Sequence, residues 1–550
     1  VKSKQQLDLS VDREVTRSFI SDLEGLLSLV LADESLTEVG KFPYRYLSTV
    51  LLSKYVDEQT DSPELRRSRA IEKWLGVEQR NRCTNERLLT TDPNFLGIGY
   101  GWQILRTAAR RIRSVLGAQP PGGLLSNGGF TGGATTSRRR SPSCLVSKFE
   151  GTLDATPDCW SRFSTEAAQI EGWNFYHPEL NSPRLVKGNV LFTVPKTALI
   201  DRVACKEPDL NIYCQKAVGD FIRRRLKKRA RIDLNDQSIN RELALAGSKD
   251  GSLATIDLSS ASDSLTINLV MAVLPREWFL LLDSLRSPKT FIDGASHTNE
   301  MFSSMGNGFT FELESMVFWA LAQATCYHSK VFGRVSVYGD DIIVPSGVAP
   351  AFLNVLRWTG FVPNVSKTFV AGPFRESCGG HYHSGLDVTP FYLRRPFKDV
   401  SDLMLTLNQF RAWIIRTESD TIRGGFEVAN AFVQLWQRYA ALVPKFLWGG
   451  WSCESRVQLA SLGRPQCELV SPTRRLSKLE VHHQTGMYLS CLRGIDGREV
   501  VLPTTPKDEL TCNTAKLKVR RSTFRPAVFG LRTPLFWIEQ LTALGLGKSY

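Results

Sequence analysis

The alternation of apolar and polar positions divides the chain into a helical start, a middle of strands and helices, and a mixed end. Phe19, Leu23, Leu26, Leu27 and Val30 recur at helical spacing, and Trp102 to Leu116 forms a second amphipathic stretch, so residues 1 to about 115 are expected to be mainly helical. Ala254-Thr255-Ile256-Asp257-Leu258 predicts a buried strand ending at a carboxylate. Ser259 to Ser264 then offers turn and N-cap residues, and an apolar helix runs to Leu274 before Pro275 stops it. Ser303-Ser304-Met305-Gly306-Asn307-Gly308-Phe309-Thr310 predicts a glycine-rich junction leading into a helix with Phe311, Met316, Phe318, Trp319 and Leu321 at its apolar positions. From Arg334 to Pro345, two β-branched runs flank Tyr338-Gly339-Asp340-Asp341, the pattern of a hairpin whose turn exploits glycine. Leu403 to Trp413 and Phe426 to Leu442 are expected helices.

Periodicity disappears between Gly117 and Ser143, where Pro120-Pro121-Gly122-Gly123 and Ser126-Asn127-Gly128-Gly129 lead into Arg138-Arg139-Arg140. This is a long loop that either touches phosphates or serves as a mobile linker. A hydrophobic content of 42% with 10% aromatics marks a folded chain, long enough at 550 residues for several subdomains. The net charge of +14 points to a polyanionic partner. Its sources are clustered. Arg106, Arg110, Arg111 and Arg113 either line a groove or coat a solvated face, and Arg223 to Arg229 packs six cations into seven residues. Arg474, Arg475, Lys516, Lys518, Arg520 and Arg521 add basic positions near the end. Eleven dispersed cysteines without a CxxC pair argue against a disulfide framework or zinc ribbon and fit a reducing cytoplasm. No apolar run approaches a membrane span, and the N-terminus lacks the apolar core of a signal peptide, so no membrane is expected.

Candidate chemistry follows from three places. The adjacent carboxylates Asp340 and Asp341 repel unless a cation neutralises them, and an oxygen-only set suits Mg²⁺ or Mn²⁺. Asp257, at a strand end, is either a cap or a metal ligand. The extended segment from Val194 to Pro208 carries Lys196, Arg202 and Lys206 among apolar residues, a ribbon suited to holding a triphosphate. Glu312 and Glu314 fall in the first turns of their helix, where the macrodipole favours anions. Two decoys are set aside. Cys378, His381 and His383 lack a fourth ligand, and Gly547-Lys548-Ser549 echoes a phosphate loop but has Thr542 where the first glycine belongs.

In order, these segments resemble the motifs of RNA-directed RNA polymerases. Asp257 to Ser264, Ser304 to Ser315, Tyr338 to Ile343, Pro373 to Gly379 and Asp387 to Tyr392 look like the replicase β subunits of the small RNA bacteriophages, the leviviruses. The resemblance spans about 190 to 400. It implies an α+β, right-hand polymerase with an antiparallel palm sheet and helix-rich fingers and thumb. The expected division is 1–250 fingers and N-terminal helical region, 251–400 palm, and 401–550 thumb and C-terminal region. Nucleotidyl transfer with two Mg²⁺ ions, or Mn²⁺ as substitute, assigns Asp257 and Asp340 as main ligands and Asp341 as an auxiliary one. Lys196, Arg202 and Lys206 would hold the incoming triphosphate. Asp263, Ser304, Gly306 and Asn307 are candidates for nucleotide and ribose contacts. Many related polymerases carry Asn where this helix has Glu314. Pro363 to Thr368 looks like the segment supplying a lysine near the leaving pyrophosphate, which makes Lys367 a candidate general acid. The implied partners are RNA template and product, nucleoside triphosphates, host elongation factors Tu and Ts and a ribosomal RNA-binding protein, in the cytoplasm of an infected bacterium. The rival readings are a reverse transcriptase and a non-catalytic RNA-binding protein for packaging or repression.

Overall fold

The computed structural model describes residues 10–57, 62–89, 99–130, 133–139, 152–167, 183–420, 426–443, 478–482, 487–493 and 499–504. Arg140, the basic positions at 474–475 and 516–521 and the Gly547-Lys548-Ser549 echo lie outside the described residues. The chain divides into two compact units, one made of residues 1–59 with 390–550 and the other of 60–389. The described residues 10–57 thus share a compact unit with the described residues from 390 onward.

In the first unit, α1 (Arg13–Ala32) begins at Asp12, whose carboxylate accepts the Glu14 N–H at 3.0 Å. Its i, i+4 stripe is the one predicted: Phe19, Leu23, Leu27 and Val30 are buried, and Leu26 packs at the margin. Thr37 caps α2 (Glu38–Val50) in the same way. Their core partners come from the helices Val400–Asp420 and Phe426–Ala440, and Phe19, Tyr44, Phe391, Phe410, Trp413 and Phe432 form an aromatic centre. Residues 478–482, 487–493 and 499–504 form a three-stranded antiparallel sheet.

The second unit is organised around α7 (Thr310–His328), numbered after α3 (Pro63–Leu89), α4 (Gly99–Leu116), α5 (Asp209–Arg225) and α6 (Ser238–Asp250). Fifteen of its nineteen residues are buried on all sides, so it is a central helix rather than a surface one. Helix α4 runs along it, with Thr107 Oγ1 2.9 Å from His328 Nε2 and Tyr100 OH 3.3 Å from Ser329 Oγ. The basic ribbon is a hairpin of β1 (Asn189–Pro195) and β2 (Asp201–Lys206). A separate sheet sets β5 (Asp341–Pro345) between β3 (Leu253–Ile256) and β4 (Ser336–Tyr338), antiparallel to both. Helices and small, mostly antiparallel sheets make the fold α+β.

One local expectation is corrected. The apolar helix after β3 is Ile267–Val273 and its cap is Thr266, not one of the preceding serines, because Ser262–Ser264 closes a separate 3₁₀ turn. Among the described residues, no helix is long and apolar enough to cross a membrane.

Candidate active site

The β4–β5 hairpin is as tight as its sequence predicts. Tyr338 pairs with Asp341 across a two-residue turn, and Gly339 takes φ 62°. That is the glycine place of a type II′ turn. Space requires glycine as well, since a Cβ there would lie 2.6 Å from Phe311 Cε2. The Gly339 N–H donates to Ser315 Oγ at 2.9 Å, which ties the turn to α7.

Pairing of Ile342 with Ile256 sets β3 beside this hairpin, so Asp257 leaves its strand at the level of the turn. The short strand Leu258–Ser259 then pairs with Val362–Pro363. Asp257 and Asp340 consequently line one cleft of about 290 Å³, together with Lys73, Lys196, Arg202, Asp263, Asn364 and Lys367. Lys196 and Arg202 reach it from the β1–β2 hairpin. Lys73 comes from α3, a mostly polar helix whose Glu78, Asn81 and Asn85 face inward. Glu78 accepts the backbone N–H groups of Glu300 and Met301 at 2.7 and 3.0 Å, and Asn81 Nδ2 donates to Asp263 O at 2.6 Å. This polar row buttresses the turn that carries Asp263.

Charge is concentrated and partly desolvated here. Burial pushes the Asp257 carboxyl up, the Asn364 amide 2.8 Å away opposes that, and the Asp340 charge adds to the rise. Burial also pushes Asp263 up to about 7, with Glu78 contributing, and its Oδ1 is enclosed without a hydrogen-bond partner. Partial desolvation lowers Lys196, helped by Arg202 and Lys73. Glu314, beneath the turn, is held well above the carboxylate range by burial, while Ser262 Oγ donates to it at 2.7 Å.

The donor chemistry fits a hard divalent cation. Asp201, Asp257, Asp263 and Asp340 line the cleft without thiol or imidazole, and the charge of Asp340 opposes ionisation of Asp257. The expected third ligand is turned elsewhere. Asp341 accepts from Cys378 N at 3.1 Å and Ser377 Oγ at 3.3 Å, and burial raises it to about 6. Among the described residues, no three His, Cys, Asp or Glu side chains are gathered closely enough to hold a metal without other ligands.

Several predicted positions stand behind the cleft rather than in it. Ser304 is buried, with its hydroxyl donating to Glu207 at 3.2 Å and accepting from Asn189 at 3.0 Å. Gly306, at φ 118°, packs so closely on β2 that a Cβ would lie 2.2 Å from Cys205 O. Asn307 closes a local turn by accepting the Phe309 N–H at 2.9 Å, leaving its buried Nδ2 unpartnered. Lys206 shares the ribbon but lies over the Phe192 ring, 5.5 Å from its centroid. Lys367 reaches the cleft and pairs with Glu376 at 3.0 Å. Lys73 and Asn364 were missed by sequence reasoning. Asn364 sits in a segment the resemblance had already marked, whereas nothing in the sequence around Lys73 announces a site.

The family described as RNA replicase, beta-chain, matches residues 1–487. The RNA-directed RNA polymerase beta chain of Enterobacteria phage fr is 42% identical over 412 residues, which cover 74% of this chain and 73% of the relative. The beta chain of Escherichia phage MS2 is also 42% identical, over 415 residues and the same shares. The polymerase subunit beta of Escherichia virus Qbeta is 37% identical over 454 residues, 78% of this chain and 74% of the relative. Among solved structures, the RNA-dependent RNA polymerase of a human picorbirnavirus is 15% identical over 47% of this chain and 58% of its own, with a TM-score of 0.33, too weak a likeness to superimpose the two clefts.

Proposed function

The chain belongs to the RNA replicase beta-chain family, and from that premise we propose how its cleft makes RNA. It is an RNA-directed RNA polymerase of the RNA-phage type, working on an RNA template and nucleoside triphosphates. In our reading the palm, 251–400, centres on the β3–β5–β4 sheet, with fingers before it and thumb after it.

Asp257 and Asp340 would hold two Mg²⁺ ions, or Mn²⁺ in their place, and Asp341 would serve as an auxiliary ligand only on giving up the hydrogen bonds it accepts from Cys378 N–H and Ser377 Oγ. When bound, these ions supply Lewis-acid polarisation of the phosphate and a lower pKa for the attacking hydroxyl. Lys196 and Arg202 hold the triphosphate, Arg202 through a bidentate fork and Lys196 as a point charge. The primer or initiating 3′-hydroxyl passes its proton to solvent, its oxygen bonds to the α-phosphorus, and the bond from that phosphorus to the bridging oxygen breaks. Lys367 leaves Glu376 and gives a proton to the departing pyrophosphate. Asp263, whose free Oδ1 faces no protein donor, reads the ribose 2′-hydroxyl. Lys206, Ser304, Gly306 and Asn307 act from behind by fixing the ribbon and the loop through Met305. The family further suggests host elongation factors Tu and Ts and a ribosomal RNA-binding protein as partners, in the cytoplasm of an infected bacterium.

The observation that carries this mechanism is the meeting of Asp257 and Asp340 in one cleft with Lys196, Arg202 and Lys367. Its test is Asp340→Asn assayed with labelled nucleotides. Synthesis should fall at least a hundredfold while RNA affinity stays within about twofold. Wild-type synthesis by the variant would end the proposal, and incorporation from dNTPs but not NTPs would favour a reverse transcriptase.

A further inference from the structure

We propose that the ridge formed by the end of α4 and the end of α5 is a second RNA-docking surface, separate from the catalytic cleft, which grips the phosphodiester backbone of long template RNA. Two cation rows, distant in sequence, converge there. Arg106, Arg110 and Arg113 are exposed along α4, and Arg224, Lys228 and Arg231 are exposed along α5 and the π-turn Leu226–Ala230 that continues it. The two elements are joined where Arg225 Nε donates to Val115 O at 2.5 Å. None of the six residues lines the catalytic cleft.

The inward cations of the same run are used structurally. Arg223 binds Glu312 at 2.5 Å and Leu234 O at 2.7 Å, and Arg225 holds α4. Nearby, Lys227 pairs with Asp233 at 2.6 Å, and Asp236 caps its own turn through Ser238. The six outward cations have no carboxylate partner within 4.0 Å among the described residues. Like charges at i, i+4 destabilise a helix, so this arrangement is costly unless an anion lies along it. Arg231 adds to that cost, since it occupies the left-handed region at φ 58°, where glycine or asparagine would be easier.

The chemistry of the ridge selects the partner. A protein interface needs aromatic or aliphatic anchors at its centre. Between the two rows there are none, because Val115, Leu116, Ile222 and Leu226 are all buried. Long cationic side chains without apolar anchors suit sequence-independent backbone contacts. From Arg106 to Arg113 the helix rises about 10 Å, roughly three nucleotide steps of a stacked strand.

The test compares the full chain with a variant carrying Arg110→Gln, Arg113→Gln, Arg224→Gln and Lys228→Gln. Binding of an RNA several hundred nucleotides long is measured against salt in EDTA, beside nucleotide incorporation on a template short enough to occupy the cleft alone. Loss of four phosphate contacts should reduce the slope of log affinity against log salt by about three and weaken long-RNA binding at least tenfold, with short-template synthesis within twofold. Arginine-to-lysine changes at positions 110, 113 and 224 keep the charges and should restore the slope, which separates lost contacts from lost folding. An unchanged slope would overturn the proposal. So would an equal loss on the short template, which would place the ridge on the path through the cleft.

Discussion

Gly339→Ala isolates the geometry that holds Asp340 in place. The new methyl would meet two penalties: the left-handed φ of 62°, and a contact of 2.6 Å with Phe311 Cε2 and 3.1 Å with its Cδ2. The conformational part costs about 1–2 kcal/mol for an L-residue. The overlap costs about another 1–3 kcal/mol, because Phe311 is packed against Tyr338, ring centroids 5.1 Å apart, and has little room to withdraw. Gly294 supplies the control, since it has φ 88° at another hairpin turn and nothing within 4 Å of its would-be Cβ. Gly294→Ala should therefore lower stability by about 1–2 kcal/mol and leave synthesis unchanged. For Gly339→Ala we expect a loss of about 2–5 kcal/mol. Relief of the clash moves the turn outward, and a displacement of about 1 Å at a reacting centre can cost about a hundredfold in rate. Urea unfolding of the metal-free proteins by tryptophan fluorescence, with nucleotide incorporation in parallel, measures both. If the two variants lose equal stability and both polymerise normally, the clash with Phe311 is not what constrains the turn.

Asp263 gives a pH signature. Its folded pKa near 7 lies above the ordinary aspartate value of 3.8, so the folded state binds the proton more tightly. The stability this lends is complete below about pH 4 and is lost as pH rises to about 7, at up to about 1.4 kcal/mol per pH unit. Asp263→Asn should remove that slope in urea titrations run in EDTA, and parallel pH curves for wild type and variant would contradict it. Glu207 accepts from Asn189, Gln215, Ser287 and Ser304 at 2.7 to 3.2 Å, joining the basic ribbon to the loop before α7. Glu207→Gln sets an amide N–H against those donors and should cost about 2–3 kcal/mol, visible as a lower urea midpoint. An unmoved midpoint would mean that the network tolerates the exchange.

The sequence by itself determined the elements and the carriers of the chemistry. The apolar stripe of α1, the apolar positions of α7 from Phe311 to Leu321, the strand ending at Asp257 and the Gly-Asp turn are local properties, written in periodicity and in a residue without a Cβ. The resemblance in motif order identified the family for the same reason: each motif is short and contiguous. What tertiary structure decided was which neighbours meet. Asp341 differs from Asp340 by one position, yet strand alternation and the Cys378 N–H turn its carboxylate away. Ser304 and Gly306 read as ligand-facing and are instead committed to Glu207 and to the backbone of β2. Lys73 reaches the cleft because a row of buried polar residues on α3 binds loops more than 180 positions further along. Hydrophobic spacing cannot encode such pairings, because each hydrogen bond joins two segments that carry no trace of one another until the chain has folded.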